Sequence, residues 1–138
     1  MFYLDASLLV AAVTAEPRHA FAKDWLRQHQ SDLSISSWCL TEVASALSLK
    51  ARTGQITPHD RSVAARQIEL MRNTFLLRAP IEETHFFAAT RFIGRTDKLR
   101  AGDALHLAIA ADYGLEVVTL DRGMAESAAT LSVDCMLL

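Results

Sequence analysis

Cysteine is scarce in this sequence, with two residues among 138, and aromatic residues make up only 7% of the chain. Cys39 and Cys135 form no C-x-x-C pair, and no group of cysteine and histidine has the spacing of a zinc finger. We therefore interpret both cysteines as buried thiols in a reducing cytosol. The small aromatic share predicts a core built mainly from alanine, leucine, valine and isoleucine.

The sequence also lacks an excess of positive charge. Its formal net charge is -2, so any nucleic-acid surface must be a local basic patch or must depend on metal ions. No apolar run reaches the roughly 20 residues that a membrane-spanning helix needs. The apolar stretch over residues 8–15 is not preceded by a basic residue, as a signal peptide would be, and Asp5 lies in the apolar N-terminus. We expect a cytoplasmic protein with no membrane contact.

Length and pattern indicate a single domain over residues 1–138, with no repeat and no linker. Short apolar strands are predicted at about residues 1–4, 33–36, 75–79, 116–120 and 132–136, and helices fill the intervals. Thr57-Pro58 is typical of a helix start, and Gly54 and Gly114 are typical of helix ends. This alternation predicts an α/β sandwich around a mainly parallel sheet, in which ligands bind beyond the carboxyl ends of the strands.

Four acidic residues have small or apolar neighbours: Asp5, Glu42, Asp103 and Asp121. Asp5 and Asp121 each follow an apolar strand, and Asp103 lies in the first turn of a nearly all-apolar helix, where an unpaired carboxylate is costly to bury. Helix capping, the helix dipole and a tight turn are sufficient explanations for Asp5, Glu42 and Asp121 taken singly. Carboxylates that converge on one sheet edge, however, repel one another and need a cation.

Oxygen ligands without a cysteine or histidine cluster favour Mg²⁺ or Mn²⁺ over zinc. Such an ion would polarise a phosphodiester and lower the pKa of a water molecule, which then becomes the nucleophile. Ser7 and Thr119 each lie two residues from an acid and are predicted to support a carboxylate or water by hydrogen bonding. His106 shares a helix face with Asp103, and we interpret it as a packed or hydrogen-bonded histidine beside the site rather than as a catalytic residue.

Basic residues adjoin two of the acids and are predicted to contact substrate phosphates at the rim of the site. They are Arg95, Lys98, Arg100 and Arg122, and the alternative is that they form a solvated surface. Trp25 and Trp38 are predicted to pack in the core rather than to stack on bases. The apolar set Phe86, Phe87 and Ile93 is compatible either with the core or with an exposed face for a partner helix or a second copy of the chain.

The chain resembles the PIN-domain nucleases, and among them the VapC-type toxins of bacterial toxin–antitoxin pairs. The matching segments are Tyr3-Leu4-Asp5-Ala6-Ser7, Thr41-Glu42-Val43, Ala101-Gly102-Asp103-Ala104-Leu105-His106-Leu107-Ala108 and Thr119-Leu120-Asp121. In this order they cover essentially the whole chain. The resemblance implies a PIN-like three-layer α/β/α sandwich and a Mg²⁺- or Mn²⁺-dependent endoribonuclease. It assigns the metal site to Asp5, Glu42, Asp103 and Asp121, with Ser7 and Thr119 as supporting hydroxyls.

The same resemblance implies an RNA substrate, inhibition by a VapB-type antitoxin, a homodimer, and contact with DNA only through the antitoxin. Two alternatives remain at this point. One is a PIN-domain nuclease of RNA processing that is not a toxin. The other is a non-catalytic module that binds DNA or a partner, in which the acids hold a structural ion.

Overall fold

The fold is built on one five-stranded sheet in a computed structural model that describes residues 1–138. The strands are β1 (Phe2–Leu4), β2 (Leu33–Ile35), β3 (Leu77–Arg78), β4 (Glu116–Thr119) and β5 (Cys135–Leu137). Their order across the sheet is β3-β2-β1-β4-β5, and every neighbouring pair is parallel. The first strand of the chain therefore lies at the centre of the sheet, with β2 on one side and β4 on the other.

Seven α-helices cover the two faces of this sheet. They are α1 (Ala6–Val13), α2 (His19–Gln28), α3 (Ser37–Arg52), α4 (Pro58–Thr74), α5 (Glu83–Ile93), α6 (Ala101–Asp112) and α7 (Arg122–Leu131). One apolar core lies between the sheet and helices α1 to α4, and a second lies between the sheet and helices α5 to α7. The three-layer α/β/α sandwich with a parallel sheet is confirmed.

The central strand β1 shows how the sequence divides between the two cores. Successive side chains of a strand point to opposite faces of the sheet. Leu4 accordingly belongs to the core under α1 to α4, and Tyr3 belongs to the core under α5 to α7. Trp25 is buried as predicted and packs edge-on against Phe2, with the ring centroids 5.3 Å apart.

Helix boundaries follow the local chemistry of the sequence. Thr57 caps α4 in a reciprocal arrangement, because its Oγ1 accepts from the amide of Asp60 and Asp60 Oδ2 accepts from the amide of Thr57, each over 3.0 Å. Gly54 and Gly114 follow α3 and α6 with φ values of +72° and +61°. Only glycine adopts this left-handed conformation at little cost, so both predicted helix ends are confirmed.

Strand β3 is shorter than the predicted stretch over residues 75–79. The amides of Phe75 and Leu76 donate to the carbonyl of Met71, so these two residues form the capping turn after α4. Only Leu77 and Arg78 pair with β2. No helix of the chain has the combination of length and apolarity that crossing a bilayer requires.

The structure shows where the apolar set on α5 lies and how deeply the two cysteines are buried. Phe86, Phe87 and Ile93 are 53%, 60% and 39% exposed, so they form an outer face of α5 and not part of the core. Cys39 is buried and Cys135 is half-buried, and neither is in a disulfide. Burial raises the pKa of Cys39 above its usual range and that of Cys135 to about 11, so both thiols are protonated at neutral pH.

Candidate active site

Asp5 lies directly beyond the carboxyl end of β1 and caps α1. Its Oδ1 accepts from the amide of Ser7 over 2.5 Å and from the hydroxyl of Ser7 over 2.6 Å, and its Oδ2 accepts from Thr119 Oγ1 over 2.6 Å. Asp5 is only 4% exposed. A buried carboxylate is tolerated when it is hydrogen-bonded in this way. Ser7 and Thr119 therefore stand where the sequence analysis expected supporting hydroxyls.

The same two hydroxyls connect the turn after β1 with the turn after β4. Ser7 Oγ accepts from the amide of Leu120 over 2.9 Å, and Thr119 Oγ1 accepts from the amide of Asp121 over 2.9 Å. Asp121 is exposed and caps α7, with its Oδ1 accepting from the amide of Met124 over 3.0 Å. The capping explanations for Asp5 and Asp121 are thus correct as geometry. They do not exclude a second role, because both carboxylates lie at the carboxyl edge of the sheet.

Glu42 and Asp103 reach this region from two helices that pack on opposite faces of the sheet. Glu42 extends from α3, and its Oε2 contacts Nε2 of the buried His106 on α6. Asp103 lies one turn before His106, in the first turn of α6. Burial raises the pKa of Asp103, the negative charges of Asp121, Glu42 and Asp5 raise it further, in that order of effect, and His106 partly opposes them. The structure therefore brings the other three predicted acids within electrostatic reach of Asp103.

The chemistry of the four acidic side chains suits a hard divalent cation. All four side chains supply carboxylate oxygens, and the one nearby imidazole, that of His106, is already occupied by Glu42. As placed, however, no three of the chain's histidine, cysteine, aspartate and glutamate side chains form a coordination group. Asp5, Glu42 and Asp121 are each held by hydrogen bonds to the protein, and like charges keep the carboxylates apart. A cation is the element that would reduce this repulsion.

The predicted phosphate-binding residues are all exposed, and none of them forms an ion pair. Arg100 immediately precedes α6, which carries Asp103, and Arg122 is the first residue of α7 after Asp121. Arg95 and Lys98 line a cleft together with Glu126 and Thr130 of α7. Arg122 does not line this cleft but lies on the same face of α7, one turn before Glu126.

Several residues of the site were not identified from the sequence. The buried Tyr3 hydroxyl bonds both Ser36 and His106, and its burial raises its pKa well above the usual range, so it stays protonated. The indole Nε1 of Trp38 is buried without a hydrogen-bond partner. Gly102 leaves room for the Glu42 carboxylate, because a Cβ there would lie 2.5 Å from Glu42 Oε1. The role of each of these three residues depends on contacts with residues distant in sequence, and no local sequence pattern indicates such contacts.

Replacing Thr119 with valine is expected to lower the free energy of unfolding by about 2 kcal/mol. Valine keeps the shape of the side chain but removes the hydroxyl that donates to the buried Asp5 and accepts from the amide of Asp121. Urea denaturation measures the change. Thr130→Val is the matched control, because Thr130 is exposed on α7 and bonds only the carbonyl of Glu126. Equal stability of the two variants would contradict the role assigned to Thr119.

Comparison with known proteins identifies the fold. The chain matches the crystal structure of VapC20 from Mycobacterium tuberculosis, described as a Sarcin-Ricin loop cleaving toxin, with a TM-score of 0.72 and 20% identity over 92% of this chain and 95% of that one. It matches FitAcB from Neisseria gonorrhoeae with a TM-score of 0.74 and 18% identity over 99% and 96% of the two chains.

A third structure, VapBC2 from Rickettsia felis bound to a DNA fragment from their promoter, matches with a TM-score of 0.71 and 15% identity over 99% and 98%. At these identities the likeness concerns the fold. Among curated proteins no sequence relative was found. The sequence model of the PIN domain matches residues 2–129, so this chain belongs to the PIN-domain family, whose members are generally nucleases that use divalent metal ions.

Proposed function

We propose that this chain is a metal-dependent endoribonuclease, the toxin of a VapBC-type toxin–antitoxin pair, formed by a single PIN domain over residues 1–138. The observation that carries the proposal is the group of four carboxylates near the carboxyl edge of the sheet, where burial and then the nearby charges of Asp121, Glu42 and Asp5 raise the pKa of Asp103. A structural role alone does not require such repulsion. The PIN family and the VapC20 fold support the assignment.

The residues divide into three roles in this proposal. Asp5, Glu42, Asp103 and Asp121 hold Mg²⁺ or Mn²⁺, which when bound supplies positive charge to a phosphodiester and makes a water molecule a better nucleophile. Ser7 and Thr119 fix the buried Asp5 carboxylate and the backbone that follows β4. The exposed basic residues Arg95, Lys98, Arg100 and Arg122 hold RNA phosphates beside the acids.

The proposed partners follow from the same assignment. Two of the matching structures are VapBC2 bound to promoter DNA and FitAcB. For this chain we propose a VapB-type antitoxin as the inhibitor, a homodimer as the assembly, and DNA contact only through the antitoxin. Co-expression with the product of a neighbouring small reading frame tests the first point, because the antitoxin should suppress RNA cleavage by the purified complex.

The test of the proposed function is an RNA cleavage assay with the purified chain. Cleavage should require Mg²⁺ or Mn²⁺, stop in EDTA, and return when the ion is restored. Asp5→Asn should abolish it, whereas Asp24→Asn should not, because Asp24 is an exposed residue of α2 that pairs only with Arg27. Cleavage that survives EDTA or Asp5→Asn would contradict the proposal. DNA affinity without any RNA cleavage would instead favour a non-catalytic binding module.

Neutralising Arg100 is expected to weaken RNA binding and to reduce its salt dependence. If Arg100 neutralises one phosphate, Arg100→Gln should decrease the slope of log K against log salt concentration by about 0.7 for single-stranded RNA. Fluorescence anisotropy with a labelled RNA at several salt concentrations measures this slope. Arg66→Gln, an exposed arginine on α4, is the matched control. A slope that stays unchanged in Arg100→Gln would remove Arg100 from the phosphate-binding group.

A further inference from the structure

A ring of hydrogen bonds connects the elements that carry three of the candidate acids. The amide of Cys39 donates to Ser36 Oγ over 3.2 Å, and Ser36 Oγ lies 2.6 Å from the Tyr3 hydroxyl. That hydroxyl lies 2.8 Å from Nδ1 of His106, whose Nε2 contacts Oε2 of Glu42. The ring starts and ends on α3 after crossing β1 and α6. Asp5 follows β1, Glu42 is on α3, and Asp103 is on α6.

The members of this ring are shielded from solvent except at one end. Tyr3, Ser36 and His106 are at most 1% exposed, whereas the Glu42 side chain is 30% exposed. Bulk water therefore does not replace a missing partner inside the ring. Only the carboxylate at its end is open to a ligand.

For a neutral His106 beside an ionised Glu42, the chemistry of the groups fixes the direction of the hydrogen bonds. An ionised carboxylate only accepts, so His106 Nε2 donates to Glu42. In a neutral imidazole Nδ1 then accepts, so the Tyr3 hydroxyl donates to it and Ser36 Oγ donates to Tyr3. Ser36 Oγ in turn accepts from the amide of Cys39. Every donor of the ring has an acceptor: the Glu42 carboxylate selects the Nε2–H tautomer of His106, and the Tyr3 hydroxyl satisfies the remaining ring nitrogen.

The two carboxylate oxygens of Glu42 are consequently distinct. Oε2 is held by His106. Oε1 faces Gly102 in the first turn of α6, at 2.5 Å from the point where a Cβ of that residue would lie. Asp103, the next residue, senses the charge of Glu42. One oxygen is thus anchored, and the other is directed toward the acidic group.

We propose that Tyr3 and His106 are positioning residues that hold Glu42 in the orientation in which Oε1 is available to a divalent cation. Tyr3 acts only through His106, and neither touches the ion or the RNA. The inference rests on the proposed function, because it assumes that the four acids bind a cation. It assigns roles to two residues that the proposed metal site does not include.

The test uses Mn²⁺ binding by the full chain, measured by isothermal titration calorimetry. Tyr3→Phe removes only the hydroxyl and should weaken Mn²⁺ binding about tenfold, as the loss of a group that orients a metal ligand commonly does. RNA cleavage should fall at low Mn²⁺ and recover at saturating Mn²⁺. Thr14→Val is the matched control, because it deletes a different buried hydroxyl, the one that donates to the Val10 carbonyl. It should leave Mn²⁺ affinity unchanged.

A second pair of variants keeps the test decisive if Tyr3→Phe folds poorly. His106→Gln retains a side-chain N–H donor for Glu42, whereas His106→Leu has none. The glutamine variant should bind Mn²⁺ more tightly than the leucine variant. In addition, ¹⁵N NMR of the wild-type chain should show the Nε2–H tautomer of His106 with a hydrogen-bonded Nδ1, and Tyr3→Phe should shift the Nδ1 resonance to that of a nitrogen without a hydrogen bond.

The outcomes separate this inference from the proposed function. If the wild-type chain binds Mn²⁺ and Tyr3→Phe binds it equally well, or if the glutamine and leucine variants are equivalent, the positioning role is wrong and the nuclease proposal is unaffected. If the wild-type chain binds Mn²⁺ but does not cleave RNA, the positioning role stands and the proposed function fails. If the wild-type chain does not bind Mn²⁺ at all, both are overturned.

Discussion

Asp103→Asn is expected to reduce RNA cleavage by roughly 100-fold or more while it raises the melting temperature of the metal-free chain by a few degrees. The two effects have one cause. The Asp103 carboxyl is half-buried beside the negative charges of Asp121, Glu42 and Asp5. Its charge is needed to hold a cation, and the same charge opposes folding when no cation is present. Asparagine removes both the ligand and the repulsion.

The pH dependence of this stabilisation has a defined sign. The pKa of Asp103 is raised in the folded chain. Its contribution to stability is therefore fully present below the ordinary pKa of an aspartate, about 3.9, and is lost as pH rises through the raised value. The melting temperature of Asp103→Asn should exceed that of the wild type at neutral pH, and the difference should shrink on acidification.

Differential scanning calorimetry with and without Mn²⁺ measures both the repulsion in the metal-free chain and the stabilisation by the bound ion. Mn²⁺ should raise the melting temperature of the wild type by mass action and should have little effect on Asp103→Asn. Asp24→Asn serves as the control for removal of a carboxylate, since its charge lies on the exposed face of α2. A variant at Asp103 that cleaves RNA like the wild type, or that melts earlier in EDTA, would be incompatible with this account.

Gly102→Ala is the second substitution with a large expected effect. A Cβ at this position would lie 2.5 Å from Glu42 Oε1 and 3.4 Å from two atoms of the Trp38 indole. The flexible Glu42 side chain is the group that moves, so the fold tolerates the change, and alanine is favoured over glycine within a helix by up to about 1 kcal/mol. Mn²⁺ affinity should fall about tenfold, whereas the melting temperature should stay equal or rise.

The control for this prediction is Gly94→Ala, since a Cβ there meets only the carbonyls of Arg91 and Thr90, at ordinary distances of 3.6 and 3.9 Å. A sharper comparison uses the Glu42→Gln background. Because Gly102→Ala acts through the Glu42 carboxylate, it should cost no further Mn²⁺ affinity once that carboxylate is removed. Additive losses in the double variant would show that Gly102 acts by another route.

The fold was largely predictable because its signals are local. Strand β4 follows from the apolar run that ends before Asp121, and α4 follows from Thr57-Pro58, whose cap is present in the structure. The position of Asp5 and Asp121 at one sheet edge also follows, since parallel strands end on the same side. Strand β3 was overestimated because the turn that caps α4 takes up Phe75 and Leu76, whose amides both donate to the Met71 carbonyl.

The candidate site was predictable in its acids but not in its internal connections. Nothing near Glu42 in the sequence indicates that His106, 64 positions later, lies against it. The same holds for Tyr3, whose hydroxyl meets a histidine 103 positions away. These contacts exist because β1 is flanked by α3 on one face and α6 on the other. They follow from the three-dimensional arrangement of elements and not from the pattern within any one of them.

Strand β1 is translated before the other four strands of the sheet, yet its place at the centre of the sheet depends on β4, which is synthesised more than a hundred residues later. Asp5 likewise receives its last hydrogen bond from Thr119. Non-local pairing of this kind forms late in folding. We therefore expect the acidic site to remain unformed in the nascent chain until β4 and Thr119 have been translated, so the site assembles after most of this domain has been synthesised.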